Sequence, residues 1–246
     1  MEPTVPLFFL QGPPGVGKTF LVGDIVKRRF EDAPSTRMLL SAQSNAAIDH
    51  LMKEIQSNFG DGSGVAPVMV RARPADDDPC DTDLEIDRQA DRHLQALAKS
   101  QLVAEASSGL REKVIALARA REEQQGVGRS KRQNRMNAEG RAFEGMILRS
   151  ANLVFATTNS AAVERLIEER SLFDWTIVEE SGKATGGALL SPLLLSYRRL
   201  MIGDHKQLPP YNVERMTRLL SAPDKVKAAV GAAHSLIYGR RWIDWS

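Results

Sequence analysis

Val5-Pro6-Leu7-Phe8-Phe9-Leu10 followed, after Gln11, by Gly12-Pro13-Pro14-Gly15-Val16-Gly17-Lys18-Thr19 is the stretch that decides the fold. Its apolar part reads as a strand buried on both faces, and its second part fits the phosphate-loop pattern G-x-x-x-x-G-K-[ST]. In such a loop the glycines let the backbone wrap a β-phosphate with its N–H groups pointing inward. Lys18 supplies a point charge to the β- and γ-phosphates, and the Thr19 hydroxyl ligates Mg²⁺. Phe20, Leu21, Ile25, Val26 and Phe30 then recur at helical spacing, so the loop opens a helix whose N-terminus favours an anion. Together these features predict a nucleoside triphosphate site.

Outward from the loop, four more short apolar runs follow: Met38 to Ser41, Leu153 to Ala156, Trp175 to Val178 and Leu200 to Ile202. Each ends in a polar or glycine-containing turn, as strands of a doubly covered parallel sheet do. Helical patterns lie between them, most clearly Ile48, Leu51, Met52 and Ile55, with Ser44 or Asn45 as N-cap. The alternation predicts an α/β fold with helices on both faces, in which ligands bind beyond the carboxyl ends of the strands. The unusual polar clusters fall at such ends: the phosphate loop, Gln43-Ser44-Asn45, Thr157-Thr158-Asn159, Glu179-Glu180 and Gly203-Asp204-His205-Lys206-Gln207.

Residues 60–149 break the alternation. A short strand at Val68 to Val70 and an acidic stretch precede a long run rich in Ala, Leu, Glu, Gln and Arg, in which Leu110, Val114 and Leu117 share a helix face. This stretch is expected to be a mostly helical insertion in a nucleotide-binding unit formed by 1–59 and 150–246. Its last part, Arg129 to Arg135, is a basic cluster that reads either as a solvated face or as a phosphate-contacting patch.

A chain of 246 residues with a net charge of +2 can bury one substantial core, and the charge is too mild to argue nucleic acid by itself. Its single cysteine, Cys80, excludes a disulfide framework and Cys/His zinc spacing, which fits a reducing cytoplasm. The N-terminal apolar run lacks a basic region before it, and no run of about eighteen apolar residues exists, so neither a signal peptide nor a membrane partner is expected.

Two clusters carry the expected chemistry. Glu179 and Glu180 emerge where a buried strand ends, the place at which phosphate-loop enzymes hold Mg²⁺ and an attacking water. Glu179 is assigned the metal, although Asp is usual there and the extra methylene lengthens its reach. Glu180 is assigned the water. Gln207 can donate to a γ-phosphate oxygen and accept from water, so it can sense the γ-phosphate, and Pro209 and Pro210 stiffen the segment after it. His205 reads as a structural hydrogen-bonding residue.

Taken in order, Gly12 to Thr19, Ala42-Gln43-Ser44-Asn45-Ala46-Ala47-Ile48-Asp49, Thr157 to Ser160, Val178 to Ala184 and Gly203 to Pro210 resemble the motifs of superfamily 1 helicases, most closely the up-frameshift-like branch with its AAA-type helicase domain. The resemblance covers nearly the whole chain outside 60–150. It implies a phosphate-loop RecA-like parallel sheet with an inserted helical subdomain, and ATP and Mg²⁺ as cofactors. It also implies a helicase ATPase in which Lys18, Glu179, Glu180 and Gln207 are catalytic. Ser44, Asn45, Thr157 and Thr158 are implied to grip the backbone of single-stranded DNA or RNA, through contacts that position without reading sequence. Tyr211 reads as a base-stacking or a packing residue.

Helicases of this kind use a second RecA-like domain, which supplies arginines to the transition state. The chain is therefore expected to be the first half of a motor, slow on its own and dependent on a second RecA-like domain in cis or in trans. A non-catalytic, nucleotide-dependent interaction module stands as the alternative, motivated by Glu179 in the usual Asp position. A phosphate-loop kinase or GTPase is disfavoured by the lack of an N-K-x-D segment.

Overall fold

Each of the five apolar runs forms a strand, and the Val68 segment supplies a sixth. The structure is a computed structural model that describes residues 7–60, 66–73, 82–123, 138–168 and 170–204, with positions 206, 218, 221 and 224. The strands are β1 (Leu7–Gln11), β2 (Met38–Ala42), β3 (Met69–Arg71), β4 (Leu153–Thr157), β5 (Phe173–Val178) and β6 (Ser196–Gly203). All pair in parallel, in the order β1-β6-β5-β2-β4-β3.

β2 is buried along its whole length because it lies between β5 and β4 and is covered on both faces. Its pleat sends Met38, Leu40 and Ala42 to one face and Leu39 to the other. On the first face α1 (Lys18–Asp32) and α2 (Asn45–Ser57) contribute Val22, Val26, Phe30, Ile48, Leu51 and Ile55. On the second, Leu39 packs with Val154, Ile147 and Leu148, and with Val163 and Leu166. Those helices are α6 (Ala138–Ser150) and α7 (Ala161–Glu168). The α/β architecture with helices on both faces is therefore present.

Two expectations about burial are corrected. β1 is not buried on both faces: Leu7, Phe8 and Phe9 are 40%, 52% and 70% exposed. It is an edge strand in the described sheet, with β6 as its neighbour. Phe8 gains cover by stacking on Trp175 at 6.4 Å between ring centroids. Nor does Phe20 join the apolar face of α1. The buried stripe there is Val22, Gly23, Val26 and Phe30, and Leu21 as well as Phe20 stands outside it, 38% and 66% exposed.

β3 lies within the stretch set apart as an insertion yet joins the sheet beside β4. The helices after it are α3 (Ile86–Ala98), the short α4 (Gln101–Ala104), α5 (Ser108–Glu122) and α6. Leu110 on α5 is exposed, whereas Ala118 and Arg121 are buried. Arg121 ties three helices together, donating to Asp91 of α3 at 2.7 Å and to Glu144 of α6 at 2.9 Å. Among the described residues, no helix is long and apolar enough to cross a membrane. Cys80, Arg129 to Arg135, His205, Gln207, Pro209, Pro210 and Tyr211 lie outside the described residues.

Candidate nucleotide-binding site

The loop after β1 is held against the sheet by its own backbone. The Gly12 N–H donates to the Gly203 carbonyl at 3.2 Å, so the loop starts tied to the end of β6. Gly15 and Gly17 have φ of 78° and 81°, the left-handed region that side chains resist, and α1 begins directly after Gly17. The first-turn N–H groups of α1 are left for a ligand, as phosphate binding requires. The Lys18 amine curls into the loop and donates to the carbonyls of Gly12 at 2.9 Å and Pro13 at 2.8 Å. A phosphate seated in the loop would compete for that amine.

The loop opens into a cleft of about 450 Å³ at the carboxyl edge of the sheet. Across from the loop stand Glu179, Glu180, Gly203 and Asp204, from the ends of β5 and β6. His50 and Glu54 reach the cleft from α2. Glu179 is 6% exposed and is anchored by its N–H, which donates to the Ser41 carbonyl at 2.8 Å. The Thr19 hydroxyl donates to Glu179 Oε1 at 2.5 Å. The added methylene of a glutamate therefore does not carry the carboxylate away from the loop.

Burial raises the Glu179 carboxyl above the ordinary glutamate range, and the nearby Glu180 charge adds to this. The Thr19 hydrogen bond and the charges of His50 and Lys18 oppose it. A hydroxyl and a desolvated carboxylate in contact are oxygen ligands suited to a hard cation, which would relieve the same penalty. The residues present thus fit Mg²⁺ at this point.

Glu180 sits at the cleft with its backbone in the left-handed region, φ 53°. It is the residue from which the 3-10 turn Ser181–Lys183 starts. That turn brings Lys183 back, and its amine donates to Glu180 Oε1 at 2.7 Å. The turn also presses on the end of β6. A Cβ at Gly182 would lie 2.8 Å from the Asp204 carbonyl oxygen, one at Gly203 would lie 2.9 Å from the Gly182 nitrogen, and the Ser181 hydroxyl donates to the Ile202 carbonyl at 3.1 Å. The glycines let the two strand ends approach closely, which fixes where Glu179 and Glu180 stand relative to the loop.

Gly12 to Thr19, Glu179 and Glu180 thus converge, as their places in the sequence predict. Ser44, Asn45, Thr157 and Thr158 lie at the adjacent ends of β2 and β4 and do not line this cleft. Ser44 is exposed and caps α2, its hydroxyl accepting from the Ala47 N–H at 3.2 Å. Asn45 Oδ1 accepts from the Arg71 guanidinium at 2.7 Å. Thr157 is half-buried, and Thr158 is 1% exposed, its N–H donating to the Ala42 carbonyl at 3.0 Å.

Sequence reasoning passed over His50, Glu54, Lys183 and the cleft position of Phe20. His50 and Glu54 had a readable signal, since they are four residues apart on the face of α2 opposite Ile48, Leu51 and Ile55. Lys183 had one only in hindsight of the turn that folds it back.

A parallel sheet whose edge strand runs into a phosphate loop, with the loop's threonine hydroxyl meeting a carboxylate from the end of β5, defines a RecA-like phosphate-loop domain. The chain belongs to the AAA-domain family, whose description matches residues 2–214, and within it to the up-frameshift-like superfamily 1 helicases as a first RecA-like domain. It is 31% identical over 206 residues to the Regulator of nonsense transcripts 1 homolog of Arabidopsis thaliana, covering 83% of this chain and 15% of that protein. It is 27% identical to the ATP-dependent helicase NAM7 of Saccharomyces cerevisiae, over 85% of this chain and 19% of the relative. It is 25% identical to the DNA polymerase alpha-associated DNA helicase A of Schizosaccharomyces pombe, over 92% of this chain and 32% of the relative. The chain thus spans a third or less of the length of these relatives.

Proposed function

We propose that this chain is the ATP-binding and ATP-hydrolysing first motor domain of a helicase acting on single-stranded DNA or RNA, completed by a second RecA-like domain in cis or in trans. The observation that carries the reading is the contact between the Thr19 hydroxyl and the buried Glu179 carboxylate, beside the phosphate loop. Lys18 and the orphan N–H groups of α1 would hold the β- and γ-phosphates, drawing the amine off the loop carbonyls. Thr19 and Glu179 would hold Mg²⁺, which when bound neutralises charge developing between the β- and γ-phosphates. Glu180 accepts a proton from, and aims, the attacking water, with Lys183 holding one of its oxygens. Gln207 is assigned the γ-phosphate sensor.

Nucleic acid is assigned to the neighbouring strand ends. Ser44, Asn45 and Thr157 offer polar groups at the surface there, in keeping with contacts that position a backbone without reading bases. The Thr158 hydroxyl is buried, so its part is to support the loop from beneath. Transition-state arginines from a partner domain contribute about three to five orders of magnitude in related phosphoryl transfer, so turnover by this chain alone is expected to be slow.

The test is ATP binding and hydrolysis by the purified chain, with and without single-stranded DNA or RNA, using Lys18→Ala as the blank. Loss of ATP binding in the variant and nucleic-acid-stimulated turnover above it support the motor reading. Undiminished ATP binding by Lys18→Ala would sink the phosphate-loop assignment. ATP binding with no turnover, even when a second RecA-like domain is added, would leave the chain as a nucleotide-dependent docking module.

A further inference from the structure

β6 ends in two consecutive carbonyls that hold different parts of the cleft. The Gly203 carbonyl accepts from the Gly12 N–H at 3.2 Å and so holds the start of the phosphate loop. The Ile202 carbonyl accepts from the Ser181 hydroxyl at 3.1 Å and so holds the turn that follows Glu180. Ile202 is itself fully buried and lies opposite Leu10 of β1, the strand that feeds the loop. A single strand end therefore carries both the seat of the phosphates and the turn that presents the water-activating carboxylate.

That turn needs a hold from outside. Glu180 stands at φ 53° and ψ 32°, a left-handed conformation that a residue with a Cβ resists and keeps only where its surroundings impose it. The bonds within the turn cannot fix it against the sheet, because they move with it. They are the Lys183 N–H to the Glu180 carbonyl at 2.9 Å, the Ala184 N–H to the Ser181 carbonyl at 3.3 Å, and the Lys183 amine to Glu180 Oε1. Among the described residues, the Ser181 hydroxyl makes the turn's hydrogen bond to β6. A Cβ at Gly203 would lie 2.9 Å from Ser181 Oγ, so the bare backbone there gives the hydroxyl its path to the strand.

We infer that Ser181 is a positioning residue for hydrolysis: its hydroxyl hooks the turn behind Glu180 onto the β6 carbonyl next to the one that holds the phosphate loop, so one strand end sets the distance from the γ-phosphate to the carboxylate. The inference rests on the motor reading above and deepens it. Ser181 touches neither phosphate nor water, and it acts through Glu180. Loss of its hydroxyl leaves Lys18, Thr19 and the backbone bond from Gly12 to Gly203 in place, so nucleotide binding survives. In-line attack suffers instead, because it depends on where the water is aimed.

The test compares steady-state and single-turnover ATP hydrolysis, in the presence of stimulating nucleic acid, by the unsubstituted chain and by S181A, S181V and S181T, with MgATP affinity measured separately by calorimetry. S181A and S181V are expected to lower kcat about tenfold and to leave KM and ATP affinity within about twofold. S181T matches S181V in shape but keeps the hydroxyl, and it is expected to recover most of the loss. Because the effect passes through Glu180, adding S181A to E180Q is expected to change turnover by less than about twofold. An unchanged kcat in S181A overturns the inference, as does an S181T variant as slow as S181V. A loss of ATP affinity as large as the loss of kcat overturns it too, making Ser181 a general support of the cleft, and so does a further tenfold loss on the E180Q background. An unsubstituted chain that binds MgATP yet gives no turnover, even with nucleic acid and a second RecA-like domain added, overturns the motor reading itself, and it does so before any substitution at Ser181.

Discussion

Replacing Arg71 with methionine tests how the strand-end loop carrying Ser44 and Asn45 is held. Arg71 ends β3, and its side chain is 0% exposed. Its guanidinium donates to Asp49 Oδ1 at 3.1 Å, Asn45 Oδ1 at 2.7 Å, and the carbonyls of Ala72 at 3.0 Å and Phe155 at 3.2 Å. Two of these partners lie on the first turns of α2, so one buried cation joins the far edge strand to the helix that carries His50 and Glu54 into the cleft. Methionine fills a similar volume but leaves the Asn45 oxygen without this donor and Asp49 with Arg73, at 2.9 Å, as its remaining ion pair. Removing one partner of a buried ion pair costs about 3–5 kcal/mol, against about 0–1 kcal/mol for an exposed one. For a domain of this size that loss lowers Tm by roughly 6–20 °C. The control is Arg28→Met, which breaks a pair of similar length, 3.0 Å to Asp24, with the arginine side chain 74% exposed. Chemical denaturation of both variants decides the matter. Equal, sub-kilocalorie losses at the two sites would refute the argument that burial makes Arg71 an anchor.

Three further outcomes are expected. Burial raises the Glu179 carboxyl, so the folded state holds that proton more tightly than the unfolded state and stability falls as pH rises from the unfolded value through the folded one. Glu179→Gln, which can still accept from Thr19, should melt higher than the parent at neutral pH and no higher below the ordinary glutamate range; a pH-independent difference would contradict the linkage. Lys183→Met frees one oxygen of Glu180 and should lower kcat about tenfold to a hundredfold with little change in KM, with partial rescue by Lys183→Arg. A change confined to KM would instead assign Lys183 to ground-state binding. Gly182→Ala drives a methyl to 2.8 Å from the Asp204 carbonyl and should cost about 1–3 kcal/mol, whereas Gly186→Ala, with open space around its Cβ and a place in a helix, should be neutral or stabilising. Thermal melts that rank the two alike would remove the close approach of the β5 and β6 ends as an explanation for Gly182.

The strands and the centre of the site were legible because each is specified locally. An apolar run bounded by turn residues needs only its own neighbours to be read, and the phosphate loop declares its backbone conformation through Gly15 and Gly17. Thr19 and Glu179 are 160 residues apart, yet their meeting was predictable because both follow strands of one parallel sheet, and parallel strands bring their carboxyl ends to one edge. What was not legible depends on position within the sheet or on the turn of a single helix. β1 has the composition of a buried strand, and only its place at the edge of the described sheet leaves Phe8 and Phe9 exposed. Phe20 is apolar and stands at the start of α1, but the helix that begins at Lys18 sets it roughly 200° round the axis from Val22, outside the buried stripe and on the wall of the cleft. An apparent lapse in hydrophobic patterning thus falls on the wall of the cleft, where an exposed ring takes no part in the core.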